Sequence, residues 1–470
     1  MVIEFRFRNI INIYMLLGVA LCGLLSVYFP IASIFFYLIL FFIISMYMSP
    51  KRWFLVCIAL LPLYNTGFEY ILKQRITYPI YYIAIFFTFF AWILKRQTTT
   101  EGDRYVFSGL HALSIFFVLW SGISLVWSIN IYRGVPAFLE LISGLLIFLL
   151  VTDFIRTKED IRQLLGFLIG VGCILAAITF SSYWFSGEKT IEITDKVNFF
   201  LSLINEKGRP AGFTGVNHAA TILNFFIFSG LSFFFLTEGK RRLVIPLAIF
   251  FLMVIVVMTG SKSGFGGLII GLFLLNLTLP LIKGWRISSF FIIVCVLVLS
   301  FFLAMLLTGE EIARSRVTAV GTPFSYETRF EWWSVGFREF FKTCGIGLGT
   351  GGMREMLYPV LFTHNIFLSA LFDLGIVGFG IFSLLLLSLF SAFKKAIKIC
   401  ADKQLEAVLL CMLAAMVGYL INNILQGDYY NRIFWLILGL DAAIIKVVYT
   451  LFTSKNIPSI PPITQEFLAH

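Results

Sequence analysis

The sequence predicts an all-α, polytopic transmembrane helix bundle of about 12–14 spans, with a long helical loop on its outer side between two late spans. Three observations predict it. The 470 residues are 59% hydrophobic and only 13% charged, and the mean hydropathy is +0.94, far outside the range of soluble domains. Apolar runs of the roughly 20 residues needed to cross a hydrocarbon core recur along almost the whole chain. Lys and Arg concentrate in alternate breaks between those runs, as the positive-inside rule requires.

In order, the runs fall near 9–28, 30–48, 53–72, 78–95, 109–128, 134–154, 162–184, 217–236, 242–259, 262–282, 287–307, 364–392, 405–424 and 432–452. The third is the weakest, because Pro62, Asn65 and Glu69 interrupt it. The first lacks a small-residue cleavage site and another span follows at once, so it is expected to be retained. With the N-terminus inside, the inner breaks collect Lys51, Arg52, Arg156, Lys158, Lys240, Arg241, Lys394, Lys395 and Lys403, among others, and the short outer ones only Lys73, Arg75, Arg133, Lys262 and Arg432. Both termini are therefore expected in the cytoplasm. The net charge of +11 is accounted for by topology, which leaves no call for a nucleic-acid partner.

Five segments follow: N-terminal helices 1–184, central helices with a first long outer loop 185–307, a second outer loop 308–363, C-terminal helices 364–452, and a tail 453–470 whose prolines predict disorder. Six of the seven cysteines lie in or beside predicted spans and only Cys344 faces outward, a scatter that excludes a disulfide framework and a Cys-rich metal site.

The two long outer segments, 185–216 and 308–363, exceed what a connection needs, and function concentrates in such places. The second contains Ser325–Phe341, where Tyr326, Phe330, Trp333, Phe337, Phe340 and Phe341 recur at helical spacing behind Ser325 as N-cap. An amphipathic helix at the outer membrane boundary is expected. Arg338 falls on its polar face, whereas Arg329 falls at the edge of the aromatic stripe, where a guanidinium needs an anionic partner. Gly345–Gly352 then reads as a flexible turn leading into the next span.

That span opens with His364 and Asn365 and carries Asp373 nine residues on, roughly 13 Å along the helix, too far to orient the imidazole directly. Asp373 is expected to pair within the bundle. His111 and His218 sit near span ends, and His470 ends the chain. Lys262, in a tight turn between two spans, has the alternative of snorkelling, and Arg209 that of an ordinary loop charge. Taken together, Arg209, Lys262 and Arg329 beside one histidine have the makings of a diphosphate site with an acid/base group at its reacting end.

The ordered set RPAGFTGVNHAA, TGSKSG, ETRFEWW with a Gly-rich turn, and HNIFLSALFDLGIVG, spanning about Arg209 to Gly380, resembles the O-antigen ligase and O-unit polymerase superfamily. The resemblance implies a GT-C-like membrane glycosyltransferase of the bacterial inner membrane with its active site facing the periplasm. It implies an undecaprenyl-diphosphate-linked glycan as donor and a glycan or lipid A-core as acceptor. It also implies the bilayer and other polysaccharide-assembly proteins as partners, with no cofactor and no metal. Carried over, His364 resembles the catalytic histidine, Arg329 the arginine of the periplasmic helix and Lys262 the family's basic residue; by position, Arg209 joins Lys262 and Arg329 as a diphosphate-binding candidate, His364 and Arg329 are the catalytic candidates, and Asn365 and Asp373 are expected to support them. Lys262 departs from the usual arginine, keeping the charge but losing the bidentate fork. Three readings remain: a repeat-unit polymerase, which the span count favours, a ligase to lipid A-core, and a transporter or flippase, which the outer position of the charges disfavours.

Overall fold

A computed structural model describes residues 45–61, 77–98, 108–185, 205–206, 209–210, 216–279, 299, 323–357 and 363–456. The first expected span, most of the second and third, the 287–307 span apart from residue 299, residues 308–322 and the tail from 457 lie outside the described residues.

Chain contacts separate two compact units, Met1–Leu60 with Ile76–Val106, and Leu61–Arg75 with Phe107–His470. In the first, α1 (Pro50–Leu60) packs on α2 (Thr77–Thr98), with Phe54, Cys57 and Ile85 buried. Lys95 reaches back to donate to the Met48 carbonyl at 3.0 Å.

The second unit is built from α3 (Gly109–Ser124), α4 (Ile131–Phe154), α5 (Lys158–Phe185), α6 (Val216–Leu236), α7 (Val244–Thr259), α8 (Lys262–Thr278), α9 (Pro323–Lys342), α10 (Gly352–Met356), α11 (Ile366–Ile399), α12 (Lys403–Asn423) and α13 (Arg432–Asn456). A two-residue antiparallel pairing, β1 (Asn205–Glu206) with β2 (Arg209–Pro210), precedes α6. Among the described residues seven helices are long and apolar enough to cross a membrane, and α7 and α8 are shorter apolar helices. The protein is an all-α, multi-pass membrane bundle.

The helices pack in two groups, α3, α4, α11 and α13 on one side and α5, α6, α7, α8 and α12 on the other, and α12 touches both. Without a hydrophobic drive between helices in lipid, close approach depends on small residues. At the α8–α12 crossing Gly267 and Gly418 face each other, and a Cβ on either would strike the other's carbonyl. His111 is absorbed locally: it closes a capping box with Ser108, and its Nε2 lies 3.1 Å from Thr152 Oγ1 on α4.

The chain bonds place loops at two ends of this unit. One end holds the α4–α5 and α11–α12 connections, joined by Lys158 to Asp402. The other holds the α3–α4, α7–α8 and α12–α13 turns, α9, α10 and the start of α11.

Candidate functional site

At that second end, α9 lies on the first turns of α11. Trp333 Nε1 donates to the Thr363 carbonyl at 3.0 Å, the Trp332 ring stacks on His364 with centroids 5.5 Å apart, and Phe337 meets Phe372 edge-on at 4.9 Å. Gly336 makes the approach close enough that a Cβ would enter the Phe372 ring. The helix starts at Pro323, a residue suited to the first helical position, so Ser325 is inside it rather than its cap. The aromatic stripe also divides: Phe340 is buried, while Phe330 and Phe341 are 64% and 71% exposed and remain for lipid or another surface. Arg338 is exposed and meets Glu339, as its polar face predicts.

The 363–365 segment presents the histidine. Asn365 caps α11, its Oδ1 accepting from the amides of Phe367 and Leu368 at 3.0 Å each. His364 takes the left-handed conformation, φ 53°, which the turn into this cap imposes and which only a few non-glycine residues tolerate well. Burial, then the positive charge of Arg329, then His218 push its proton affinity down from the usual 6.5 to about 4. Arg329, half-buried on α9, and His218, at the start of α6, thus stand close enough to act on the imidazole. The cationic neighbours and the dry surroundings both disfavour its charged form.

Asp373 holds the segment upstream of α11. Its Oδ1 accepts from the Met353 amide at 2.8 Å and its Oδ2 from the Gly351 amide at 3.2 Å, while Tyr429 donates to Oδ2 at 3.3 Å. The backbone does the same: the carbonyls of Phe372 and Asp373 accept from Leu348 and Gly349, both at 2.8 Å. α11 opens to allow this at Gly375, whose φ 70° and ψ −168° are essentially glycine-only values, and the Ile376 amide bonds the Gly345 carbonyl at 2.9 Å. On its other side Thr350 meets the Ser121 and Ser124 hydroxyls at 2.6 and 2.8 Å. Gly345–Gly352 is therefore a seated plug in a broken helix, and the expectation of a flexible lead is wrong; backbone pairing across 20-odd residues leaves no local pattern to read.

Immediately after the plug, Arg354 points at Glu140 of α4, with Nη2 to Oε2 at 3.2 Å and Nη1 to Oε1 at 3.5 Å. Its Nε donates to Tyr430 Oη at 2.7 Å and its guanidinium lies 4.1 Å from the Tyr430 ring centroid. Tyr430 in turn bonds Asp428, which accepts from Thr363 Oγ1 at 3.3 Å. Burial raises Asp428 to about 6, against the pull of Arg354. A continuous polar path therefore runs from α4 through Arg354, Tyr430, Asp428 and Thr363 to the residue before His364. Glu140, Arg354, Asp428 and Tyr430 are absent from the sequence-based candidates, and His218 is read there only as a histidine near a span end; a carboxylate inside an apolar span, Glu140, is the available signal.

Residues 247–383 match the family model described as O-antigen ligase. That likeness covers less than a third of the chain. No protein in the curated comparison matches it. The matched segment runs from α7 through α9 and the plug into the first half of α11, and so contains Lys262, Arg329, Arg354, His364, Asn365 and Asp373. Glu140, His218, Asp428 and Tyr430, which close the site, lie outside the match.

Lys262 is exposed as the first residue of α8, after Gly260 at φ 62° and the cap Ser261, whose hydroxyl donates to Asn217 Oδ1 at 2.8 Å, one residue before His218. It lies at the same end of the bundle as His364. The Arg209 backbone pairs with Glu206 in the short β pairing, and β2 packs against α5 and α7. The structure thus brings Arg329, His364 and Asn365 together and seats Asp373 on the plug. Among the described residues no three His, Cys, Asp or Glu side chains group to hold a metal ion.

Proposed function

We propose that the protein is a membrane glycosyltransferase that moves an undecaprenyl-diphosphate-linked oligo- or polysaccharide onto a sugar hydroxyl at the periplasmic face, with repeat-unit polymerisation as its reaction. The observation that carries this reading is the half-buried Arg329 beside a Trp332-stacked His364 within the segment that matches the O-antigen ligase family.

The acceptor oxygen attacks the anomeric carbon, its proton passes to the imidazole, and the bond from that carbon to the diphosphate breaks with its electron pair leaving on the lipid diphosphate. The leaving group is good, so the protein has to stabilise growing phosphate charge and supply a base. Arg329 serves the first need, with Lys262 and Arg209 as further cations. His364 is already the free base at neutral pH. A diphosphate arriving at Arg329 offsets the charge that holds the imidazole's proton affinity down, so donor binding itself strengthens the base.

Ligation to lipid A-core is the second reading, favoured by the description of the matching family. Deleting the gene and examining surface polysaccharide on a gel separates the two. A polymerase deletion leaves a single capped repeat; a ligase deletion leaves bare core while lipid-linked polymer accumulates. His364→Ala and Arg329→Ala are expected to reproduce the deletion, and wild-type polysaccharide from both variants would overturn the enzymatic reading.

A further inference from the structure

At the end of the bundle opposite His364, the last turns of α11 and the first turns of α12 border an open cleft of about 360 Å³. Its walls are apolar, chiefly Phe390 and Phe393 from α11 and Leu410 and Leu413 from α12. Two charges interrupt them, Lys394 and Glu406. The polarity is graded along the helices. Glu406 lies one turn inside the start of α12, with Leu410 and Leu413 one and two turns deeper; Lys394 lies near the end of α11, with Phe390 one turn deeper. The cleft is therefore charged toward the helix ends and greasy toward the middle of the bundle, as a lipid is.

Two features of the charges narrow the occupant. They are opposite in sign, and among the described residues they form no ion pair with each other although they line one cleft. An anionic headgroup would suit Lys394 but would be repelled by Glu406. A headgroup that carries a phosphate and a primary ammonium a few ångströms apart satisfies both, and the ammonium can donate hydrogen bonds to the carboxylate. The surrounding helix ends are basic, with Lys395, Lys398 and Lys403 near the mouth, which places the cleft at the face where cationic residues meet lipid headgroups.

We propose that this cleft binds one phosphatidylethanolamine molecule, its phosphate on Lys394, its ammonium on Glu406 and an acyl chain between Phe390, Phe393, Leu410 and Leu413. The site is independent of the glycosyltransfer reading, since it shares no residue with the His364 end.

The purified full chain in mixed micelles containing equal phosphatidylethanolamine and phosphatidylglycerol, read by native mass spectrometry, tests it. One phosphatidylethanolamine is expected to remain per chain, in preference to phosphatidylglycerol. Glu406→Lys should reverse that preference by about tenfold, and Lys394→Met should weaken retention of both lipids. Leu413→Trp, which fills the cleft without touching either charge, should displace the bound lipid. Equal retention of the two lipids by the wild type, or a preference that Glu406→Lys and Leu413→Trp leave unchanged in monodisperse protein, overturns the proposal.

Discussion

With its proton affinity held at about 4 by burial, Arg329 and His218, His364 is neutral through the whole neutral range, and this fixes two pH dependences. The acidic limb of kcat/KM, which reports the free enzyme, is expected near 4 rather than 6.5, whereas the limb of kcat should lie higher because bound diphosphate offsets Arg329. Arg329→Met removes a charge that opposes protonation, so it should move the kcat/KM limb upward while lowering the rate; an unmoved limb would separate the two residues. For stability the sign runs the same way. The unfolded histidine binds its proton near 6.5 and the folded one near 4, so this contribution is complete above 6.5 and is lost as pH falls toward 4. The Glu140–Arg354 pair makes a second residue-scale prediction. Removing one partner leaves the other part-buried without its counter-charge, so Arg354→Met or Glu140→Gln should each cost about 1–3 kcal/mol. The double variant Arg354→Met/Glu140→Gln should cost clearly less than their sum, measured by thermal unfolding in detergent, and additive costs would deny the coupling.

At the scale of elements, the plug and the break in α11 depend on each other. Gly375 holds φ 70°, and a Cβ there would enter the carbonyls of Gly345 and Ile346, so Gly375→Ala combines a forbidden conformation with a backbone clash. Asp373→Leu would leave the buried amides of Gly351 and Met353 without acceptors, about 1–3 kcal/mol each. Both variants are expected to lower the melting temperature and to expose residues 345–353 to amide hydrogen exchange, and slow exchange there in Asp373→Leu would refute the anchor. The sequence makes α9, α11 and their neighbours legible, because hydropathy and helical period are local properties; the ends of α11 and α12 agree with the expected spans within a few residues, apart from the extension of α11 to Ile399. The role of Asp373 is not legible in that way. What a carboxylate holds is decided by a segment folded back from 20 residues upstream, and no periodicity records it. The Glu140–Arg354 pair, 214 residues apart, is hidden for the same reason.

For the whole molecule, the reading of a periplasmic site rests on orientation, and the chain contains its own reporters of it. The end that carries His364 also carries Cys344, which is exposed; the opposite end carries Cys400, half-buried, whose thiol donates to the Asp402 carbonyl at 3.3 Å. Lys and Arg gather at the Cys400 end, in Arg156, Lys158, Lys240, Lys394, Lys395, Lys398 and Lys403, and the positive-inside rule puts that end in the cytoplasm. Cys344 is then the thiol that a membrane-impermeant maleimide should reach in cells with a permeabilised outer membrane, and labelling there should vanish in Cys344→Ser. In inverted inner-membrane vesicles the same reagent should spare Cys344. Labelling of Cys344 only in inverted vesicles would turn the bundle over, and with it His364 and Arg329 would face the cytoplasm, away from any donor presented in the periplasm. The topology test therefore comes before every kinetic one, because the chemistry proposed for the imidazole has a substrate only if this end of the bundle faces outward.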